Sequence, residues 1–191
     1  MSQIPVTDLK QWAYCPRIVY YHRVLPGAGK ATFKMREALS AQDMIERLEM
    51  RRSLREYGWE GANRRFALWL ANEIVGLSGR LDLLLEHEGR GAVVDFKLTS
   101  GEMGDNHQMQ LSGYAMLVEA CYGLQVETGF LYRILDDRVF TFAETAVWKT
   151  RVAVAVAAMQ ELERTAWCPE PTPVRACCAE CEYVNLCADT W

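Results

Sequence analysis

No apolar run in this 191-residue chain is long enough to cross a bilayer. The longest alkyl-rich stretch, Val152–Met159, has eight residues between Arg151 and Gln160, against the roughly 20 that a spanning helix needs. The opening MSQIPVTDLKQW carries charge and no apolar centre, so it does not read as a secretion signal, and a cytoplasmic, prokaryotic setting is expected. Excess positive charge is missing too: 21 Lys and Arg stand against 25 Asp and Glu, a net of −4. That excludes a basic coat over the whole surface. Repeats and low-complexity segments are absent, and histidine occurs only at 22, 87 and 107. The hydrophobic content of 50% supports a sizeable core and excludes global disorder.

Charge and cysteine are unevenly spread. Residues 1–65 hold 12 basic and 7 acidic side chains, a net of +5, while residues 66–191 hold 9 and 18, a net of −9. A basic front on an acidic body suggests a local surface for a polyanion. Seven cysteines are many for this length, and four of them fall between 177 and 187, behind prolines at 169, 171 and 173. In a reducing compartment, thiols at such short spacing serve as metal ligands more readily than as disulfide partners.

Periodicity predicts a helix over Thr7–Tyr14 capped by Thr7, and a second over Arg17–Leu25 after the Cys15-Pro16 break. Lys34–Tyr57, free of proline and glycine, reads as one long helix ended by Gly58. Strands are predicted at Phe66–Val75, Gly79–His87, Gly91–Leu98, Val126–Ile134 and Arg138–Phe142, and helices at Asn106–Cys121 and Glu144–Thr165. The length fits one domain.

The hairpin Gly79–Lys97 carries the chemistry. Alternation places Leu81, Leu83 and Leu85 on one face with Arg80 and Asp82 on the other, and sets Val93, Asp95 and Lys97 opposite Val94, Phe96 and Leu98. A two-residue turn at Glu88-Gly89 pairs residues whose numbers sum to 177, which puts Asp82 across from Asp95. Two carboxylates about 5 Å apart repel, and a divalent cation held by hard oxygens would offset that. Lys97 points the same way and can hold an attacking water or stabilise charge on a phosphate. This arrangement suits metal-assisted phosphodiester hydrolysis; the plainer alternative is a hairpin in which Lys97 only neutralises Asp95. Gln110 and Tyr114 share a helical face. They can orient the lysine or hold a nucleic-acid backbone, or be a half-buried tyrosine beside an incidental glutamine.

Cys178-x2-Cys181-x5-Cys187 forms a ligand set once folding brings in Cys15 from 163 residues upstream of Cys178. Four thiolates could close on an iron–sulfur cluster or on zinc. Cys178 is preferred to Cys177 because it gives the C-x2-C spacing, and Cys121 reads as a small core residue. Arg47, Arg51 and Arg55, with Arg52 alongside, form a basic ridge that either contacts DNA phosphates or pairs with Glu46, Glu49 and Glu56 as a solvated face. Tyr14, Tyr20 and Tyr21 could stack on single-stranded bases or fill a core.

GRLD at Gly79–Asp82, VDFK at Val94–Lys97 and the Gln-x-x-x-Tyr motif at Gln110–Tyr114 resemble the RecB-like branch of the PD-(D/E)xK nuclease superfamily. WAYCPRIVYYHR and CAECEYVNLC narrow the resemblance to the CRISPR-associated Cas4 exonuclease family, over about Val6 to Asp189. That implies an α/β fold with a restriction-endonuclease-like core: a mixed sheet flanked by helices at about 31–166, with an iron–sulfur lobe from about 1–30 and 167–191. It implies Mg²⁺ or Mn²⁺ on Asp82, Asp95 and the Phe96 backbone carbonyl, with Lys97, Gln110 and Tyr114 as catalytic residues. It implies an iron–sulfur cluster, four-iron rather than two-iron, on Cys15, Cys178, Cys181 and Cys187. The implied activity is trimming of prespacer DNA with single-stranded overhangs and selection of the adjacent motif, beside a separate or fused Cas1 integrase and Cas2. Such proteins usually carry a histidine ligand on the long helix. Gln42 falls at or near that place here, with Asp43 and Glu46 close by, or His22 or His107 reaching in. The missing histidine supports a rival expectation, a catalytically weak or inactive DNA-end recognition subunit. A redox protein with vestigial nuclease motifs is a third.

Overall fold

The computed structural model describes residues 2–27, 49–50, 52–98, 103–144, 146–179 and 181–187. In chain order these give β1 (Ile4–Pro5), α1 (Val6–Tyr14), α2 (Pro16–Val24), β2 (Asn63–Asn72), β3 (Leu77–His87), β4 (Arg90–Lys97), α3 (Asp105–Tyr122), β5 (Gln125–Arg133), β6 (Arg138–Ala143), α4 (Ala146–Thr165) and the short α5 (Val184–Cys187). The six strands form one mixed sheet. β3 takes β2 antiparallel along one edge, and takes β4 antiparallel and β1 parallel along the other. β4 pairs parallel with β5, and β6 closes the far edge antiparallel to β5. Helix α3 makes the crossover that a parallel β4–β5 pair requires.

One sheet face packs under α1, α3 and α4, where Leu9, Leu81, Leu84, Val93, Leu111, Leu117 and Met159 are buried together. The other face holds Leu83, Leu85, Val94, Phe96 and Phe130 beneath Leu54 and Tyr57. Among the described residues no helix is long and apolar enough to cross a membrane.

The β3–β4 hairpin has the predicted two-residue turn. Glu88 and Gly89 both have positive φ, as a type I′ turn demands, and the register runs from His87 opposite Arg90 to Leu83 opposite Val94. The predicted faces of β3, however, are corrected. Leu81 joins Leu84 under the helices, whereas Leu83 and Leu85 face the other way. The cause lies across the ladder. β2 pairs Phe66 with Leu83 and Leu68 with Leu81, and Ala67 between them, opposite Asp82, has φ 54°. One left-handed residue resets the alternation, so Phe66 and Leu68 also face opposite sides, and both strands switch parity at the same point.

Three other expectations change. Helix α1 starts at Val6 with Pro5 as its N-cap, which places Thr7 inside the first turn. The helix predicted over Lys34–Tyr57 is interrupted: Ser53 is extended, its hydroxyl accepts the Arg55 N–H at 3.2 Å, and Leu54–Tyr57 form a 3₁₀ turn. The three-residue repeat of that turn drops both Leu54 and Tyr57 into the second core, and Gly58 ends it at φ 66°. Cys121 is exposed near the end of α3, not a core residue.

Candidate active site

β3 and β4 stop pairing after Leu83 and Val94, and the two aspartates sit in the gap that opens there. Asp82 Oδ2 takes the place of a ladder partner by accepting the Phe96 N–H at 2.9 Å. Since an extended residue turns its N–H and C=O to the same edge, the Phe96 carbonyl faces this gap too. On the helix-covered face, Asp95 is 4% exposed and Lys97 Nζ lies 2.6 Å from its Oδ2. The Gln110 side-chain amide, reaching down from α3, donates to Asp95 Oδ1 at 3.1 Å. Tyr114, one turn on, donates to the Arg80 carbonyl at 2.8 Å. Burial pushes the Tyr114 phenol upward, and the Asp95 and Asp82 carboxylates push it further, so it remains a donor.

The structure therefore brings Asp82, Asp95, Lys97, Gln110 and Tyr114 together, while correcting the work expected of the last two. Gln110 braces Asp95 rather than Lys97. Tyr114, 3% exposed beneath α3, is pinned to the strand two residues before Asp82 and cannot hold a nucleic-acid backbone. Gly79 makes room for it: a Cβ there would meet the Tyr114 ring at 3.1 Å.

Two residues join the site that sequence reasoning did not place there. Lys10 on α1 is half-buried, and its pKa is lowered to about 8 by burial and by the charge of Lys97, against a smaller pull from Asp95. His107, 8% exposed in the first turn of α3, is lowered to about 4 by burial, then by Lys10 and Lys97, and stays neutral. Its Nδ1 accepts the Gly104 N–H at 3.4 Å. His22 belongs elsewhere, between Asp8 and Glu182 at 3.6 and 3.5 Å. Gln42, Asp43, Glu46, Arg47 and Arg51 lie outside the described residues.

The basic ridge is corrected at Arg52. Its guanidinium contacts Glu49, Glu56 and Asp137, donates to the Tyr132 hydroxyl at 2.7 Å and stacks over the Tyr132 ring at 4.1 Å, so it is spent on tertiary structure. The Arg55 side chain is 87% exposed, with only a loose approach to Glu60 at 3.8 Å. A polar cavity of about 320 Å³ between Trp59, His87, Arg90 and Glu127 lies at the opposite end of β4 from the aspartates.

Far along the chain from that centre, both termini meet. Cys15, Cys177, Cys178, Cys181 and Cys187 line one pocket with Tyr14. The Thr172 N–H donates to Cys15 Sγ at 3.4 Å and the Arg17 guanidinium to Cys187 Sγ at 3.2 Å. Burial raises the Cys181 thiol, and Cys15, Cys178 and Cys187 add to the rise, so all four are close neighbours. No three His, Cys, Asp or Glu side chains among the described residues converge tightly on one point as ligands of a single ion; these thiols ring a space instead. Tyr21 is core here, stacked on Tyr183 with centroids 4.8 Å apart, while Tyr14 is fixed through its hydroxyl to the Cys177 carbonyl at 3.1 Å.

A hairpin whose diverging ends present D…D-x-K, braced by Gln-x-x-x-Tyr from the crossover helix, defines a nuclease-type site, and the chain belongs to the PD-(D/E)XK nuclease superfamily, whose model matches residues 6–188. It is similar to the CRISPR-associated exonuclease Cas4 of Francisella tularensis subsp. novicida, 28% identical over 186 residues, covering 97% of this chain and 94% of the relative. The Cas4 of Aeropyrum pernix is 25% identical, covering 96% and 94%. A Cas4/Cas1 fusion of Myxococcus xanthus is 29% identical over 92% of this chain, which spans 29% of that protein. In fold, the chain is similar to the crystal structure of SSO0001 (TM-score 0.56, 21% identity, covering 100% of this chain and 88% of that one). It is also similar to an alkaline exonuclease of Laribacter hongkongensis (TM-score 0.50, 11% identity, covering 86% and 89%). This is a CRISPR-associated type of nuclease.

Proposed function

We propose that the chain is a metal-dependent DNA exonuclease that trims single-stranded ends of prespacer DNA and helps select the adjacent motif, working with Cas1 and Cas2. The observation that carries this reading is the meeting of Asp82 and Asp95 at the strand divergence with Lys97 Nζ 2.6 Å from Asp95. Similarity to proteins named CRISPR-associated exonucleases, one of them fused to Cas1, supports the substrate and the first partner.

The donor set fits a hard divalent cation. Besides the two carboxylates, Gln110 Oε1 is buried with no hydrogen-bond donor, an acceptor left over beside Asp95. Asp82, Asp95 and the Phe96 carbonyl would hold Mg²⁺ or Mn²⁺, and that ion would offset the charge that builds on a phosphate under attack. Lys97 would hold the water or a phosphate oxygen, Gln110 would keep Asp95 oriented, and Tyr114 would keep the strand in place.

Cys15, Cys178, Cys181 and Cys187 would hold an iron–sulfur cluster, four-iron by preference. Hydrogen bonds donated to the sulfurs of Cys15 and Cys187 suit thiolate ligands, and ligands from both chain ends would make the cluster a clasp.

The test is a labelled overhang duplex with Mn²⁺, comparing the protein with Lys97→Ala. The protein should cut, and the variant should cut about 100-fold more slowly. Equal products would overturn the assigned site. End binding without cutting by the unmodified protein would favour the recognition-subunit reading, for which the Gln42 substitution on the long helix is the motive. Anaerobic purification should give a coloured protein with iron and sulfide, and Cys15→Ser should lose both; a colourless zinc protein would remove the cluster.

A further inference from the structure

Lys10 is the residue of this site that no motif accounts for. It comes from α1, whose position is fixed by close packing on the crossover helix: a Cβ at Gly113 would lie 2.4 Å from Leu9 Cδ1 and 3.3 Å from Val6 Cγ1. The same helix packs on β3, where a Cβ at Gly79 would lie 3.3 Å from Val6 Cβ. With its neighbours Val6 and Leu9 fully buried, Lys10 is carried to the open end of the sheet, near Lys97, Asp95 and His107. Its charge has no match there. Among the described residues no carboxylate lies within ion-pair distance of Lys10, because Asp95 is already engaged by Lys97 at 2.6 Å and by Gln110 at 3.1 Å. His107, next to it, is neutral and offers no negative charge.

A half-buried ammonium without a counter-ion is costly unless an anion arrives to use it. The cation count points the same way. Asp82 and Asp95 balance Lys97 and Lys10, so a divalent ion on the carboxylates leaves a net charge of +2 facing the gap. An anion of two charges or a phosphodiester with its neighbour restores neutrality. Resting on the nuclease reading above, the geometry points to Lys10 as a catalytic residue that binds a non-bridging oxygen of a DNA phosphate at the cleavage site, a second cation beside Lys97 supplied by the N-terminal helix.

The test uses the full chain with Lys10→Met and Lys10→Arg. With an overhang substrate and Mn²⁺, Lys10→Met should cut about 100-fold more slowly and Lys10→Arg should recover much of the loss. Lys10→Met should melt at the same or a higher temperature, since an unmatched charge is removed; a merely structural lysine would lower it. In salt titrations of single-strand binding, Lys10→Met should reduce the slope of log K on log salt by about 0.7, one phosphate contact. A single methylphosphonate at the cleaved position should erase the difference in affinity between the protein and Lys10→Met. If the protein cuts and Lys10→Met cuts equally fast, or if its defect is unchanged against the neutral phosphate, the Lys10 assignment falls and the nuclease reading stands. If the unmodified protein neither cuts nor binds DNA, both fall. If it binds without cutting, an unchanged salt slope overturns the Lys10 assignment and a reduced one sustains it.

Discussion

Tyr114→Phe separates a tyrosine that braces the sheet from one that touches DNA. The substitution keeps the ring, which is 3% exposed and packs where a Cβ at Gly79 would come within 3.1 Å, and it removes one hydrogen bond of 2.8 Å to the Arg80 carbonyl. A buried carbonyl left without its donor costs about 1–3 kcal/mol. The low end applies if water reaches Arg80, whose side chain is exposed on the strand. Urea denaturation without metal should therefore show a midpoint lowered by that amount divided by an unchanged slope. Below the transition, Asp82 keeps its bond to the Phe96 N–H, so cleavage should fall only a few-fold, through loosening of β3. A Tyr114→Phe protein of unaltered stability that cuts about 100-fold more slowly would refute the reasoning, because only a hydroxyl in contact with substrate gives that pattern.

Other perturbations test the frame. Glu144 is 8% exposed, accepts from the Gln108 amide at 3.0 Å, and is raised by burial to about 7. Its folded pKa exceeds the unfolded 4.5, so the folded state holds the extra proton and stability declines as pH rises from about 4.5 to about 7. Glu144→Gln should flatten that slope and stabilise the protein at pH 8 by up to about 3 kcal/mol; identical pH profiles by thermal melting would count against it. Ala67→Gly should be neutral or stabilising by up to about 1 kcal/mol, because Ala67 holds φ 54°, whereas the same change elsewhere in a strand costs about 0.5–1 kcal/mol. Arg52→Met should destabilise by several kcal/mol, because it strands the 1%-exposed Glu49 carboxylate, and should leave the DNA salt slope unchanged.

The local grammar of the chain was sufficient for much of this. Strand period, the Glu88-Gly89 turn and the count to 177 placed Asp82 opposite Asp95, because a tight turn fixes register and register fixes which side chains meet. The cysteine spacing likewise marked a ligand set before any fold was known. What sequence alone did not settle are effects of partners far along the chain. The parity switch at Asp82 depends on Ala67 in the facing strand, an unremarkable alanine in sequence whose left-handed backbone exists only within the β2–β3 pair. Arg52 reads as one more arginine on a basic face until the β5–β6 turn brings Asp137 and Tyr132 to it. Gln110 turned to Asp95 rather than Lys97 because the crossover helix, not the i,i+4 spacing, sets where its amide lands. Lys10 carries no motif at all; it enters the site because Val6 and Leu9 bury against α3 and β3 and take it along. Short-range spacing determines which side chains are neighbours within a hairpin or a helical turn. Only the packing of separate elements, driven by burial of their apolar faces, decides which charges from distant segments share one site.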